Sequence, residues 1–290
     1  MNPAMLYALA AIAMWASVAT LSALTHTLPP FFVAGVGLIL GSLPTLRRIR
    51  EWKVPPKVFA NGVYGIFGFY FFLFNAYRLA PVMEATVLSY VWPLLMVLLS
   101  PLLLPGTRLG ANHIVGSLLG FAGAALIVTG GQLSLSLSLS ALPGYLMALG
   151  AAVVWASYSL FTRRLPACPD NAVGGFCLAS GMLAMALHFA AEPAAHPSAP
   201  QWLIIAVLGL LPMGAAFLCW NRAVTLGDPR RIGALGNATP LLSTLMLAAS
   251  GQASLNGAAA LAIAMIVGGA ALGSVPPERL RLLLRPLRRA

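Results

Sequence analysis

The sequence predicts an all-α polytopic membrane protein, with ten transmembrane helices arranged as two inverted five-helix repeats around a central cavity. Three observations predict this fold: the composition, the number of long apolar segments and an internal repeat. The chain has 290 residues, of which 60% are hydrophobic and only 8% are charged, and its mean hydropathy is +0.89. Since soluble domains are about 25% charged, this composition excludes a soluble protein.

Ten apolar segments follow one another along the chain. A hydrocarbon core about 30 Å thick requires about 20 apolar residues per helix, so breaks in hydrophobicity delimit the spans. We predict spans at residues 3–25, 29–46, 58–79, 82–104, 112–130, 142–162, 171–191, 201–225, 229–250 and 255–275. These spans leave no room for a separate soluble domain.

The basic residues lie in alternate connections between the predicted spans. The connections after even-numbered spans carry Arg47, Arg48, Arg50, Lys53, Lys57, Arg108, Arg163, Arg164, Arg230, Arg231, Arg279, Arg281, Arg285, Arg288 and Arg289. The opposite connections carry only Arg78. By the positive-inside rule both termini are therefore cytoplasmic. The net charge of +11 reflects this topology, and we expect no nucleic-acid partner.

An internal repeat relates the two halves. "MWAS", which contains Trp15, recurs as "VWAS", which contains Trp155. Ala76–Leu95 aligns without a gap with Ala223–Leu242, with identities at Ala76, Leu79, Leu88, Pro93, Leu94 and Leu95. Since each copy has an odd number of spans, the second copy enters the membrane from the opposite side. Inverted repeats of this kind are typical of secondary transporters.

The repeat predicts the domain organisation. The first repeat covers residues 1–130 and the second covers residues 142–275. Residues 131–141, with their Leu-Ser alternation, form a periplasmic linker, and residues 276–290 form a basic cytoplasmic tail.

Matched prolines mark a candidate site between the repeats. Pro93 and Pro240 lie inside spans four and nine, where a proline removes a backbone donor and frees the carbonyl four residues earlier, here that of Ser89 and of Gly236. Two interpretations remain open at this point: a structural kink, or a gating hinge in each half.

Aromatic and polar side chains at membrane depth surround these prolines. An aromatic stripe is often helix packing, but the polar tip of a buried Tyr or Trp needs a partner. We predict a substrate site lined by Trp15, Ser17, Tyr70, Phe74, Asn75, Tyr77, Tyr90, Trp92, Trp155, Tyr158, Trp220 and Asn237. Such a site suits a small amphipathic solute with an apolar body and polar ends.

Charged side chains near the membrane are few. Glu84 begins span four on the outer side, either as a helix cap paired with Arg78 or as a coupling charge at the outer mouth. No Asp or Glu lies at the midplane of a span, which favours facilitated transport over a buried-acid proton relay. The alternative is a drug or metabolite efflux carrier coupled to proton antiport.

Other functional classes are disfavoured. The cysteines Cys168, Cys177 and Cys219 lack metal-ligand spacing, and the four histidines lie at helix ends or in loops without an apparent carboxylate partner. We therefore expect no metal, no cofactor and no enzymatic activity. A channel remains a rival, although it does not require inverted halves.

The ordered motifs resemble the EamA-type members of the drug/metabolite transporter superfamily. The resemblance rests on the twin repeats, the two Trp-Ala-Ser motifs, "APVMEATVLSYVWPLLMVLLS" and "NRAVTLGDPRRIGALGNATPLLSTL". The aromatic third and fourth spans resemble bacterial aromatic amino acid exporters. This implies a central cavity lined by spans one, three, four, six, eight and nine, and export of amino acids by a monomer in lipid.

The sequence also departs from its relatives. Where many of them have an acidic residue after a glycine, this chain has Gly106-Thr107 and Gly251-Gln252. The first span lacks the glutamate that small multidrug pumps use, so their proton-antiport mechanism is not transferred.

Overall fold

A computed structural model describes residues 2–131, 138–249 and 257–274, and within these ranges the chain is helical with no strand. The prediction of an all-α fold is confirmed for this part of the chain. Most of the predicted linker, the whole basic tail, and Gly251 and Gln252 lie outside the described residues.

The first half contains seven α-helices. They are α1 (Pro3–Ala16), α2 (Val18–Ala23), α3 (Pro30–Ser42), α4 (Pro56–Leu79), α5 (Val82–Ser89), α6 (Trp92–Leu103) and α7 (Ala111–Val128). A 3₁₀-helix, Leu43–Trp52, follows α3, and a second one, Leu139–Ala141, precedes the next half.

The second half also contains seven α-helices within its described residues. They are α8 (Leu142–Arg164), α9 (Ala172–Ala191), α10 (Ala199–Leu210), α11 (Ala216–Leu226), α12 (Pro229–Gly236), α13 (Ala238–Ala249) and α14 (Gly257–Ser274). A π-helical turn, Leu211–Ala215, joins α10 to α11.

Local sequence explains where several helices begin. Proline occupies the first turn of many of them, where its missing N–H costs no helical hydrogen bond. The Asn2 side chain caps α1 by accepting from the Ala4 N–H at 3.0 Å. The Asp228 side chain caps α12 by accepting from the Arg230 N–H at 2.9 Å. These caps satisfy backbone donors that have no partner within their helix.

Eight stretches of the described residues are long and apolar enough to cross a membrane. They are Pro3–Ala23, Pro30–Trp52, Pro56–Leu79, Val82–Leu103, Ala111–Val128, Leu139–Arg164, Ala172–Ala191 and Ala199–Leu226. Helices α12 and α13 occupy the predicted ninth span, and α14, a shorter apolar helix, occupies the tenth.

Four of the predicted spans contain two α-helices each. In the eighth span the π-helical turn joins α10 to α11, and in the other three a break separates the helices. Ser17 separates α1 from α2, residues 90–91 separate α5 from α6, and Asn237 separates α12 from α13. Pro93 and Pro240 lie in the first turns of α6 and α13, so both matched prolines coincide with breaks. At the second break the Thr239 hydroxyl donates to the Gly236 carbonyl at 2.9 Å, which satisfies the freed acceptor locally.

Glycines allow the outer helices to approach closely. Helix α7 packs along α14 and α3 packs along α9, while α1 contacts α11 and α4 contacts α8. A Cβ added at Gly116 would lie 2.5 Å from the carbonyl oxygen of Gly269, and one added at Gly41 would lie 2.7 Å from that of Gly209. Small residues at such positions let helix backbones meet in lipid, where van der Waals packing drives association.

Candidate functional site

Four of the six tryptophans meet at the centre of the bundle. Trp15 lies 5.4 Å from Trp155 and 5.2 Å from Trp220, measured between ring centroids, and Trp92 lies 5.4 Å from Trp220. Trp220, Trp155 and Trp92 are buried, and Trp15 is half-buried. We call these four residues the tryptophan core. The sequence repeat had paired Trp15 with Trp155, and the structure brings their rings into contact.

Further aromatic rings surround Trp155. Tyr158, Phe69 and Phe217 lie 5.2, 5.3 and 5.7 Å from it. Tyr70 and Phe74, 5.5 Å apart, pack against the same cluster. Phe69 and Phe217 were not among the residues predicted from the sequence. Their positions depend on which faces of α4 and α11 turn inward, and in the aromatic-rich α4 periodicity alone does not decide this.

Two indole N–H groups and one phenol hydroxyl of the cluster have hydrogen-bond partners. Trp15 donates through Nε1 to the Pro212 carbonyl at 3.1 Å, and Trp220 donates through Nε1 to the Ser159 hydroxyl at 3.0 Å. The Tyr158 hydroxyl donates to Oδ1 of Asn221 at 2.9 Å. Since Pro212 lies in the π-helical turn, Trp15 fixes α1 to the point where α10 joins α11.

Replacing Trp15 with phenylalanine is expected to lower the free energy of unfolding by about 1 kcal/mol. The variant keeps an aromatic ring but loses the hydrogen bond to the Pro212 carbonyl. Thermal unfolding of the purified protein in detergent measures the change. The matched control is Trp202→Phe, at a position that is 45% exposed and outside the tryptophan core. An equal effect of both variants would contradict this role of the indole N–H.

One end of the bundle carries the arginine-rich connections, and we call it the basic end. There Asn171 donates to Oε2 of Glu51 at 2.6 Å, and Arg222 pairs with Asp170 at 3.1 Å. Between this end and the tryptophan core, α4 and α8 pack tightly, because Gly65 faces the ring of Tyr158. Helices α4 and α8 are therefore in close contact between the core and the basic end.

Polar contacts also join α4 to α8 here. The Tyr64 and Ser157 hydroxyls are 2.9 Å apart, and the Asn61 amide donates to the Thr162 hydroxyl at 3.1 Å. Toward the opposite end, by contrast, Tyr70, Phe74, Tyr77 and Tyr90 are only half-buried. The predicted site residues are thus more tightly packed on the side of the basic end than on the opposite side.

The breaks next to Pro93 and Pro240 lie close together beside the core. Helix α6 packs against α12, and Gly236, the last residue before the second break, faces the indole ring of Trp92. Any side chain at Gly236 would overlap that ring. At this contact the first half therefore supplies the aromatic side chain, Trp92, and the second half supplies the glycine that leaves space for it.

Several predicted site residues make other contacts. The Asn75 amide donates to the Phe71 carbonyl of its own helix at 2.8 Å, and the Ser17 hydroxyl donates to the Met14 carbonyl at 2.7 Å. Asn237 is buried against Gly120 of α7. Separately, the Thr86 hydroxyl lies 3.3 Å from that of Tyr77. At the end opposite the basic end Glu84 is buried, whereas Arg78 is exposed.

One histidine has a carboxylate partner, contrary to the expectation from the sequence. Nδ1 of His188 lies 3.0 Å from Oε2 of Glu192, and both side chains are buried. The same carboxylate accepts from the N–H groups of Phe31 and Phe32 at 3.0 and 3.2 Å, and so caps α3. The spacing of four residues on α9 was a visible signal for this pair. The pair joins α9 to α3 at the end opposite the basic end.

Metal binding has no support in the described ranges. Within residues 2–131, 138–249 and 257–274, no group of three or more His, Cys, Asp and Glu side chains is placed to hold a metal ion.

The fold and the site define the class: a multi-span membrane transporter of the helical-bundle type. The chain belongs to the EamA-like transporter family, whose sequence profile matches residues 2–129 and again residues 142–275. The predicted family resemblance is therefore confirmed. Because this is a family of transporters, the expectation that the chain is not an enzyme is confirmed as well.

Individual relatives agree with this assignment. The chain is 38% identical over 285 residues to a protein of Ancylobacter novellus named "Aromatic amino acid exporter YddG", covering 96% of this chain and 99% of that protein. An uncharacterized transporter of Acidianus ambivalens is 24% identical over 217 residues, covering 74% of this chain and 81% of that one. A crystal structure at 37% identity superposes with a TM-score of 0.88, covering 93% of this chain and 96% of that chain.

Proposed function

We propose that this protein is a secondary transporter that exports amino acids across the bacterial inner membrane by alternating access. Its substrates are aromatic amino acids together with other apolar or small neutral ones, and transport is facilitative. The observation that carries this proposal is the tryptophan core, a buried cluster of large aromatic rings at the centre of the bundle, the region where transporters bind their substrates. The name of the 38% identical relative supports the same substrate class.

The helix contacts support an inverted repeat of ten spans, with α12 and α13 as the ninth span and α14 as the tenth. A two-fold axis in the membrane plane would exchange the first span with the sixth and the third with the eighth. It would then convert the contact of α1 with α11 into that of α8 with α4, and both contacts are present. It would map the pairs α3 with α9 and α7 with α14 onto themselves, and both of these are present too. The proposed repeats are residues 1–130 and 142–275.

The same proposal assigns the orientation. The basic end faces the cytoplasm together with both termini, as the positive-inside rule requires. The tight packing of α4 and α8 then closes the site toward the cytoplasm, and the half-buried tyrosines face the periplasm. The breaks at Pro93 and Pro240 are the hinges at which each half bends. The transporter acts as a monomer surrounded by lipid.

Transport of labelled phenylalanine into proteoliposomes tests the function. We expect saturable, counterflow-competent transport that other aromatic amino acids inhibit and that a pH gradient does not change. Linear, non-saturating flux would contradict a carrier and favour a channel. Acceleration by a pH gradient would instead favour the proton-antiport alternative.

A further inference from the structure

An open groove with a volume of about 650 Å³ lies at the basic end, between the ends of α6, α8 and α11 and the start of α12. Its size falls in the range of small-molecule sites, about 300–1,000 Å³. Both halves of the chain contribute to it. We call it the basic groove, defined by Leu104, Arg163, Arg164, Leu226, Asp228 and Arg230.

The groove has an apolar wall and a cationic wall. Leu104 and Leu226 provide apolar surface, while Arg163, Arg164 and Arg230 provide three guanidinium groups around one carboxylate, that of Asp228. The lining therefore has an excess of positive charge. Such a surface fits a solute with an apolar body and an anionic end.

The guanidinium group of Arg230 already forms an ion pair and a hydrogen bond with neighbouring residues. It forms an ion pair with Asp228, with Nη2 and Oδ2 2.6 Å apart, and its Nη1 donates to the Arg108 carbonyl at 2.6 Å. Burial raises the pKa of the Asp228 carboxyl, but hydrogen bonds from the Arg230 side chain and N–H, with the charges of Arg230 and Arg231, outweigh it and hold that pKa below its ordinary value. The contribution of the ionised Asp228 carboxylate to the stability of the fold is present above the ordinary carboxyl pKa. It is lost only as the pH falls through the lowered pKa of Asp228. At neutral pH, Arg230 and Asp228 therefore neutralise each other.

Arg163 and Arg164 remain as the available cations of the groove. Both are exposed, and neither takes part in an ion pair with another residue of the described ranges. Arg164 makes one long hydrogen bond, from Nη1 to the Leu103 carbonyl at 3.4 Å. Most guanidinium N–H groups of Arg163 and Arg164 are thus available to a ligand, beside the apolar surface of Leu104 and Leu226.

We propose that the basic groove is a cytoplasmic docking subsite, in which Arg163 and Arg164 bind the carboxylate of an amino acid before it reaches the tryptophan core. The groove lies at the basic end of α6, α8, α11 and α12, the helices that carry or adjoin Trp92, Trp155 and Trp220. The subsite rests on the proposed function, because its ligand is the transported amino acid.

The experiment compares the two faces of the transporter. Proteoliposomes of known sidedness, with the membrane potential held at zero, give the half-saturation concentration of phenylalanine and of phenylalaninamide at each face. Phenylalaninamide lacks the carboxylate of phenylalanine. In the wild type we therefore expect its half-saturation concentration to exceed that of phenylalanine by a larger factor at the basic-end face than at the opposite face. This comparison does not depend on whether any variant folds.

Variants then locate the effect. Arg163→Gln and Arg164→Gln are each expected to raise the half-saturation concentration of phenylalanine at the basic-end face by about three- to fivefold, the upper part of the range for one exposed ion pair. Phenylalaninamide should be unaffected. The matched control is Arg48→Gln, which removes an exposed charge from the same end but outside the groove.

Three results would overturn the subsite. The first is a half-saturation concentration of phenylalaninamide that exceeds that of phenylalanine by the same factor at both faces, together with Arg163→Gln and Arg164→Gln variants that behave like Arg48→Gln. The second is an arginine effect that disappears in vesicles without anionic lipid, which would assign the groove to a lipid headgroup. The third is a wild-type protein that does not transport phenylalanine, which would also overturn the proposed function; the first two leave that function standing.

Discussion

Trp155→Ala is expected to abolish transport of aromatic amino acids, lowering Vmax/KM by about 100-fold, which corresponds to about 2.8 kcal/mol. The reason is the position of this ring at the centre of the tryptophan core. It contacts six other rings, those of Trp15, Phe69, Trp92, Tyr158, Phe217 and Trp220. Removing it deletes a wall of the proposed site and leaves its neighbours without their common contact.

The measurement is initial-rate transport of phenylalanine in proteoliposomes with equal amounts of folded protein, checked by gel filtration. Trp202→Ala is the matched control, since it removes the same side chain from an exposed position at the start of α10. Transport by Trp155→Ala at the rate of the control would remove the tryptophan core from the site.

Gly269→Leu is expected to destroy the packing of α14 on α7, at a cost of about 3 kcal/mol or more in the free energy of unfolding. A Cβ at this position would overlap the Gly116 carbonyl and would lie 2.8 Å from the Gly120 nitrogen. These atoms belong to the backbone, so no change of rotamer can relieve the overlap. The helices would have to separate along their shared face.

Gly268→Leu provides a control at the neighbouring residue. A Cβ there would meet only Leu119 Cδ2, at 4.0 Å, and the position is exposed. Because leucine is also a better helix former than glycine, this variant should be as stable as the wild type. Fluorescence-detected gel filtration after heating compares the two. Similar profiles for both variants would contradict a close contact between α7 and α14.

The sequence predicted best those features that depend on local chemistry or on the repeat. Pro93 and Pro240 predicted the breaks in spans four and nine because a proline in the interior of a predicted span removes a backbone donor and interrupts the helical hydrogen bonds. Trp15 and Trp155 could be paired because the repeat relates their positions, whatever the details of packing. Neither inference requires knowledge of the neighbouring helices.

Features that depend on tertiary packing were harder to predict. Aromatic residues occupy every face of α4 near Phe69, so periodicity could not tell which ring would reach Trp155. Asn237 is predicted as a site residue from its equivalence to Tyr90, and the contact of its side chain with Gly120 of α7 could not be predicted from the sequence. Glu192, the partner of His188, lies four residues later in the sequence, but the position of a histidine at a helix end does not by itself indicate such a pair.

The π-helical turn Leu211–Ala215 changes which face of α11 each sequence position occupies. Each residue of an α-helix advances about 100° around the axis, and a π turn accommodates one additional residue. Helix α11 therefore begins about 100° out of phase with α10. A helical wheel drawn from Ala199 would place Phe217 and Trp220 on the wrong side, and deleting one residue of the turn would act as a rotation of α11, with all the aromatic rings retained and their directions changed.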